Sequence, residues 1–214
     1  MASVRIGRPP LNDEAVEQRR SHILGVTLAL VARDGADRVR LRDVAQEASV
    51  SVGMLQHYFA TRDALLHEAF SAHAQEVVAR VEVASRADVD PWERIRSLVL
   101  SITNPEDYLQ RCSLWVEFAA AASRDVGLRT LMTEAYGRWR VPLNDAVQAG
   151  VDAGIFHPVL PPASVVENLL ALIDGYEVAL AIEEKTDVDK VADEMTAVAG
   201  ALLGYDAGAA ADAG

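Results

Sequence analysis

Apolar residues recur at helical spacing along almost the whole chain. From Leu41 to Ala48 they stand at positions i, i+3, i+4 and i+7, which form one face of a helix. No stretch alternates polar residues with β-branched apolar ones, the pattern of a half-buried strand. The sequence therefore predicts an all-α protein with about nine helices.

The stretch from Leu41 to Phe59 predicts two short helices joined by a tight turn. Ser51 follows the turn and is suited to cap the second helix, because its hydroxyl can accept a hydrogen bond from a free amide. Leu55 and Phe59, four residues apart, face inward, which leaves Gln56 and His57 outside. This arrangement fits a helix-turn-helix unit, whose second helix enters the DNA major groove. A helical hairpin packed into an ordinary all-α core would show the same spacing.

The segment from Leu41 to Phe70 resembles the DNA-binding domain of the TetR family of bacterial transcriptional regulators. The resemblance rests on an Ala-rich first helix, on the segment SVSVGMLQHYF, and on a following helix that opens with a basic and an acidic residue. In that family, polar residues of the second helix read bases, while a tyrosine and a basic residue hold phosphates. By position, the resemblance implies DNA contacts from Ser51, Gly53, Gln56, His57, Tyr58 and Arg62.

Residues beside this segment add one departure from the family and further candidate contacts. The family usually has glycine in the turn where this chain has Ser49, and serine adopts a positive φ less readily than glycine, so we expect some strain there. Arg38, Arg40 and Arg42 alternate along the chain and cannot all face inward. We therefore expect at least one of them to contact the DNA backbone, and Arg40 and Arg42 are the candidates.

The distribution of charge permits DNA binding although the net charge is −12. Residues 1–70 carry nine arginines and nine acidic residues, so the whole acidic excess lies in residues 71–214. Phosphates respond mainly to charges within a Debye length of about 8 Å. The acidic excess therefore lies away from the predicted DNA-binding surface.

The sequence suggests four segments. We expect a flexible arm over residues 1–14, a helix-turn-helix domain over 15–61, an effector-binding and dimerisation domain over 62–205, and a disordered tail over 206–214. The RIGRPP segment of the arm resembles the part of AT-hooks that inserts into the minor groove. A disordered tail that is merely basic is the favoured explanation of this segment.

The second domain resembles the TetR subgroup that includes choline-responsive repressors. The matching segments are LWVEFAAAASRDVGLRTLMTEAYGRWR and ALIDGYEVALAI. The resemblance implies a homodimer in which the last two helices of each chain, about residues 163–203, form a four-helix bundle. It also implies a small-molecule effector, without identifying choline as that effector.

Several aromatic and acidic residues stand where this family has its effector cavity. Aromatic faces beside a carboxylate suit a cationic or aromatic compound, although such residues are also common in cores. The candidate ligand-binding residues are Trp115, Phe118, Tyr136, Trp139, Asp174, Tyr176 and Glu177.

Other function classes lack support in the sequence. The glycine motifs of nucleotide-binding folds and the signatures of zinc proteases and serine hydrolases are missing, so we expect no cofactor, no metal and no catalytic residues. No apolar run is long enough for a membrane span, and the lone Cys112 fits a reducing cytoplasm. We predict a homodimeric regulator, a repressor in the first instance, of a palindromic double-stranded operator. A ligand-independent DNA-binding dimer and a helical enzyme remain the alternatives.

Overall fold

The computed structural model describes residues 13–86, 89–101, 103, 108–182 and 187–206. Within these residues the chain forms nine α-helices and one short 3-10 helix, and no strand. The prediction of an all-α protein is confirmed. The predicted minor-groove contact of RIGRPP, and residues 207–214 of the predicted tail, lie outside the described residues.

The helices largely follow the boundaries expected from the sequence. The helix α1 begins at Asp13, so it includes the last two residues of the predicted arm, and a 3-10 helix at Ala36–Arg38 follows it. The remaining helices are α2 (Leu41–Glu47), α3 (Val52–Tyr58), α4 (Arg62–Ser85), α5 (Pro91–Leu100), α6 (Tyr108–Ala122), α7 (Val126–Asp152), α8 (Pro162–Ile182) and α9 (Val188–Leu203).

Side-chain caps explain where many of the helices begin. The Ser51 hydroxyl accepts a hydrogen bond from the Met54 amide at 3.1 Å, and the Thr61 hydroxyl accepts one from the Ala64 amide at 3.1 Å. Each cap satisfies an amide that has no partner inside its helix. Aspartates do the same at the starts of three later helices: Asp90, Asp125 and Asp187.

The chain divides into two compact units, Met1–Ala69 and Phe70–Gly214. The division lies inside α4, whereas the sequence analysis placed a boundary at Arg62, where that helix begins. The first unit contains α1 to α3 and the start of α4, and the second contains the rest of α4 and α5 to α9. The four segment limits given above remain predictions.

The core of the first unit fixes the orientation of α3. Leu55 of α3 and Phe59 just after it are at most 1% exposed, and they lie with Ile23 and Val44 in this core. The Arg20 guanidinium lies 5.6 Å from the centroid of the Phe59 ring and forms an ion pair with Glu68. These contacts hold α1, α3 and the start of α4 together.

The turn between α2 and α3 is closed by a Schellman motif. The Val50 amide donates to the Ala45 carbonyl at 2.9 Å, and the Ser49 amide donates to the Gln46 carbonyl at 3.1 Å. This motif needs a left-handed residue after the helix end, and that residue is Ser49, with φ of 56°. The strain predicted at Ser49 is therefore present, because a side chain is disfavoured in this conformation.

We expect Ser49→Gly to stabilise the first unit. Glycine adopts the left-handed conformation without steric cost but loses more backbone entropy on folding, so the net gain should be about 0.5–1 kcal/mol. Thermal unfolding should show a midpoint raised by about 1–3 °C. Ser49→Ala, which keeps the side-chain clash, is the control and should give no gain. Equal midpoints for all three proteins would contradict the assignment of strain.

The second unit is a bundle in which α6 packs against α7 and α8, and α5 packs against α7 and α9. Phe118 of α6 is fully buried and stacks on Phe70 of α4, with ring centroids 5.0 Å apart. Across the described parts of the chain, no helix is both long and apolar enough to cross a membrane. The core of the bundle includes Ile95, Leu98, Cys112, Leu143, Val147, Phe156, Leu169, Leu180 and Met195.

Candidate functional site

The outer face of α3 is a small polar surface. Ser51, Gly53, Gln56 and His57 are all exposed, while Tyr58 at the helix end is half-buried. A Cβ added at Gly53 would meet no other atom within 4 Å, so the backbone is open to close approach on that side. The side chains that the sequence placed outward are thus accessible to a partner.

The rest of the first unit supports this surface from behind. Met54 is half-buried, and its sulfur accepts a contact from the Arg19 guanidinium at 3.9 Å. The His57 and Tyr58 rings meet edge to face at 5.8 Å. With Leu55 and Phe59 buried, α3 cannot rotate without exposing apolar area. The polar face of α3 is therefore fixed outward.

The arginines around α3 differ in what they contact. Arg40 and Arg42 are exposed, and the Arg42 side chain lies 3.4 Å from the Asp43 carboxylate. Arg62 instead points back into its own unit, where its Nε donates to the Val39 carbonyl at 2.7 Å and its Nη2 donates to the Ala36 carbonyl. Arg62 thus holds the segment before α2, a role that the sequence analysis did not anticipate.

A second cluster lies within the bundle, where Asp174 of α8 is held by two aromatic donors. The Trp115 indole N–H donates to one carboxylate oxygen at 3.2 Å, and the Tyr136 hydroxyl donates to the other at 2.7 Å. The Trp115 and Tyr136 rings meet edge to face at 5.7 Å. Burial, and then the hydrogen bond to Asp174, raise the pKa of Tyr136, so the phenol stays protonated and remains a donor.

Glu177 lies one helical turn after Asp174 and is 5% exposed. The pKa of Glu177 is raised to about 8, mainly by burial and also by the negative charge of Asp174, while Arg111 acts to lower it. Both carboxyl groups line a cavity that also contacts Trp115, Tyr136 and Trp139. The cavity measures only about 10 Å³, which is the space of one water molecule at most.

The cavity contains five of the seven residues that the sequence analysis proposed for a ligand. The other two lie elsewhere: Phe118 is fully buried against Phe70, and the Tyr176 hydroxyl faces Glu194 of α9 at 3.4 Å. The apolar wall of the cavity was not predicted, because aliphatic residues at helical spacing do not indicate a cavity. That wall consists of Val77, Leu170 and Ile173.

Two wider grooves open on the surface between α4 and α7. Their volumes are about 350 and 320 Å³, and Glu82 and Arg138 line both of them. The Glu82 carboxylate and the Arg138 guanidinium form an ion pair at 3.0 Å where the grooves meet. Neither groove contains an aromatic side chain, so the enclosed cluster around Asp174 is the better candidate for ligand recognition.

Family profiles match both units. Residues 23–69 match the profile of bacterial regulatory proteins of the tetR family, and residues 91–204 match the C-terminal domain of BetI-type transcriptional repressors. The second match covers more than half of the chain. A helix-turn-helix unit followed by a helical bundle defines a DNA-binding transcriptional regulator. The chain belongs to the TetR family, and its C-terminal domain is of the BetI type.

Individual relatives agree with this assignment. The chain is 25% identical over 187 residues to the HTH-type transcriptional regulator PksA of Bacillus subtilis, covering 87% of this chain and 77% of that protein. It is 25% identical over 175 residues to the regulator BetI of Agrobacterium fabrum, covering 80% and 77%. Because both profiles and both relatives are regulators, the enzyme alternative is excluded.

A solved structure shares the fold. A putative transcriptional regulator from Saccharomonospora viridis, solved in complex with choline, superimposes with a TM-score of 0.77 at 24% identity, covering 85% of this chain and 95% of that one. This likeness confirms the predicted architecture of an N-terminal helix-turn-helix domain and a C-terminal helical domain.

Proposed function

We propose that the protein is a homodimeric repressor that binds a palindromic operator through α3 and leaves it when a cationic small molecule binds the bundle. The observation that carries the DNA-binding part is the outward polar face of α3 on a rigid helix-turn-helix unit. Two-fold symmetry of the protein would require two-fold symmetry of the operator, with half-sites about one helical turn or a multiple apart.

Each residue of the surface has a proposed role. Gln56 can pair with adenine through two hydrogen bonds, and His57 can donate to a base acceptor. Ser51 and Gly53 would lie closest to the DNA, since neither side chain fills the groove. Residues proposed to contact phosphates are Tyr58, Arg40 and Arg42, with Arg62 acting mainly by holding the segment that carries Arg40.

The test of DNA reading is the double variant Gln56→Ala/His57→Ala. Losing direct base contacts should weaken operator binding by about thirtyfold to a hundredfold while leaving the salt dependence of binding nearly unchanged. Gel shifts on the DNA upstream of the protein's own gene measure this.

The matched control carries the same two changes on the surface of the second unit, as Gln148→Ala/His157→Ala; both residues are exposed. The control should bind the operator like the parent. Undiminished specific binding by the α3 variant would remove α3 from the recognition surface.

The effector part of the proposal is supported by the chemistry of the cavity. Trp115, Tyr136 and Trp139 bring aromatic rings to a site that also has two carboxyl groups, which suits a cation. Choline is the first compound to test, because the Saccharomonospora viridis regulator was solved with it. The cavity must widen to admit any effector, and Val77 of α4 lines it. Because α4 continues from this unit into the DNA-binding unit, we propose that α4 couples effector binding to operator binding.

The small size of the cavity also favours a second candidate, a DNA-binding dimer that needs no effector. The two candidates differ in a thermal-shift and operator-release experiment with choline and tetramethylammonium. Stabilisation of the protein together with release of the operator supports the effector. Unchanged melting and unchanged operator binding in both compounds support the ligand-independent dimer.

A stripe on α8 supports the proposed dimer interface at about residues 163–203, of which 183–186 lie outside the described residues. The residues of this stripe are exposed and are separated by three and four residues in turn. This is the spacing of a helix face that packs against another helix. Val178 is 46% exposed and Ile182 is 76% exposed, although both are apolar. The stripe comprises Asn168, Ala171, Gly175, Val178 and Ile182.

We expect Val178→Glu to weaken the dimer by at least about a hundredfold, because the interface would have to bury unpaired charges. Val141→Glu is the matched control, since Val141 is an exposed valine of α7 outside the proposed interface. Analytical ultracentrifugation over a range of concentrations measures both dissociation constants. A control variant as monomeric as Val178→Glu would place the interface elsewhere.

A further inference from the structure

Two carboxyl groups on one turn of α8 have different surroundings. Both oxygens of Asp174 already accept hydrogen bonds, from Trp115 and from Tyr136. Glu177 is 5% exposed and lines the same cavity, and within the described residues its carboxyl group receives no hydrogen bond. Of these two carboxyl groups, the one that accepts no hydrogen bond in the described part of the chain is therefore Glu177.

We propose that Glu177 recognises the positive charge of the effector, and that its carboxyl group is protonated in the free protein and loses its proton when the effector binds. The proposal rests on the effector site proposed above. The step breaks only the carboxyl O–H bond: the electron pair stays on Glu177, and the proton passes to the buffer. Asp174 positions the two aromatic side chains through its hydrogen bonds.

The surroundings of Glu177 explain why its carboxyl group is neutral in the protein without effector. An ionised carboxylate that is buried without donors is costly, and the Asp174 carboxylate on the same helix adds repulsion. Arg111 of α6 acts in the opposite direction, but burial dominates, and the pKa of Glu177 is raised to about 8. Tyr136 of α7 directs its hydroxyl at Asp174. From α4 the cavity receives Val77, and the titratable residue of that buried face is His73, one turn earlier.

A bound cation reverses this balance. Its charge compensates the ionised Glu177 in a cavity that holds one water molecule at most, and the Trp115 and Trp139 rings that line the cavity can add cation–π attraction. Because binding then releases a proton, the affinity for a permanent cation must rise with pH below the pKa of the free carboxyl group. With a pKa of about 8, the expected rise is about fiftyfold between pH 6 and pH 8.

The experiment is isothermal titration calorimetry of the full-length protein with choline, in phosphate and in Tris buffer at pH 7, and with its neutral isostere 3,3-dimethylbutan-1-ol. The parent should release nearly one proton per choline and none with the isostere. Glu177→Gln should release none, and its affinity for choline should not change with pH. Asp174→Asn, the control at the neighbouring carboxylate, should still release a proton.

The possible failures are distinct. Choline binding without proton release, or equal affinity for choline and the isostere, overturns the role of Glu177 while leaving the effector site in place. Proton release that persists in Glu177→Gln but disappears in Asp174→Asn overturns it in favour of Asp174. If neither choline nor tetramethylammonium binds at any pH, this inference and the cationic effector both fall, and operator binding by gel shift then decides separately whether the repressor stands.

Discussion

Gly53→Glu is expected to abolish operator binding while leaving the protein folded. Gly53 lies on the exposed face of α3, and a Cβ added there meets no neighbouring atom within 4 Å. Glutamate also favours the helical conformation more than glycine does, so the fold should gain up to about 1 kcal/mol. In the complex with DNA, the same side chain would occupy the space in which the α3 backbone approaches the DNA. It would also place a negative charge among the phosphates. That combination should cost several kcal/mol, or about a thousandfold in affinity.

The matched control is Gly25→Glu. Gly25 is an exposed glycine of α1 in the same unit, also with open space where a Cβ would lie, so the change of charge and of helix propensity is the same. Gel shifts measure operator binding, and thermal unfolding shows that both variants are folded. If the two variants bind equally well, the open side of α3 does not face DNA.

Glu177→Gln is expected to change how stability depends on pH. The pKa of Glu177 is raised in the folded protein to about 8, above its ordinary value of 4.5. The folded state therefore holds a proton that the unfolded state has lost, and the contribution of Glu177 to the free energy of unfolding is complete below about pH 4.5. It is lost as pH rises through 8. Glutamine stays neutral at every pH and lacks this loss.

The two proteins should thus be similarly stable near pH 5 and differ near pH 8.5. The variant should be more stable at the higher pH, by about 2–4 kcal/mol if the shift in pKa has the stated size. Urea unfolding at a series of pH values measures the difference, and the background pH dependence cancels between the two proteins. A constant difference over this range would mean that Glu177 titrates as it does in water.

The α3 surface and the cavity in the bundle differ in how far their side-chain contacts could be predicted from the local sequence. For α3, the Ser51 cap, the inward Leu55 and Phe59, and the outward Gln56 and His57 were all predicted correctly, and so was the strain at Ser49. These features depend on residues a few positions apart, because caps and helix faces repeat every three to four residues. The contacts of Arg62 were not predicted, since its partners lie 23 and 26 residues away.

In the bundle, the sequence indicated seven candidate ligand-binding residues, and only five of them line the cavity in the folded structure. Trp115 and Tyr136 meet Asp174 across separations of 59 and 38 residues, and no local rule pairs them. Phe118 and Tyr176 are aromatic residues of the same helices, yet they face the core and Glu194 instead. Helix faces are predictable, but which neighbouring helix each face meets depends on packing.

By itself, the sequence determined that this protein is helical, where its helices begin and end within a few residues, and which polar side chains of α3 face outward, because each of these follows from chemistry between near neighbours in the chain. Only the tertiary structure decided that Arg62 supports the segment before α2, that Asp174 is saturated by two aromatic donors, and that Glu177 is buried beside it. Those outcomes depend on which distant helices come into contact, and burial at such contacts sets the charge of a carboxyl group.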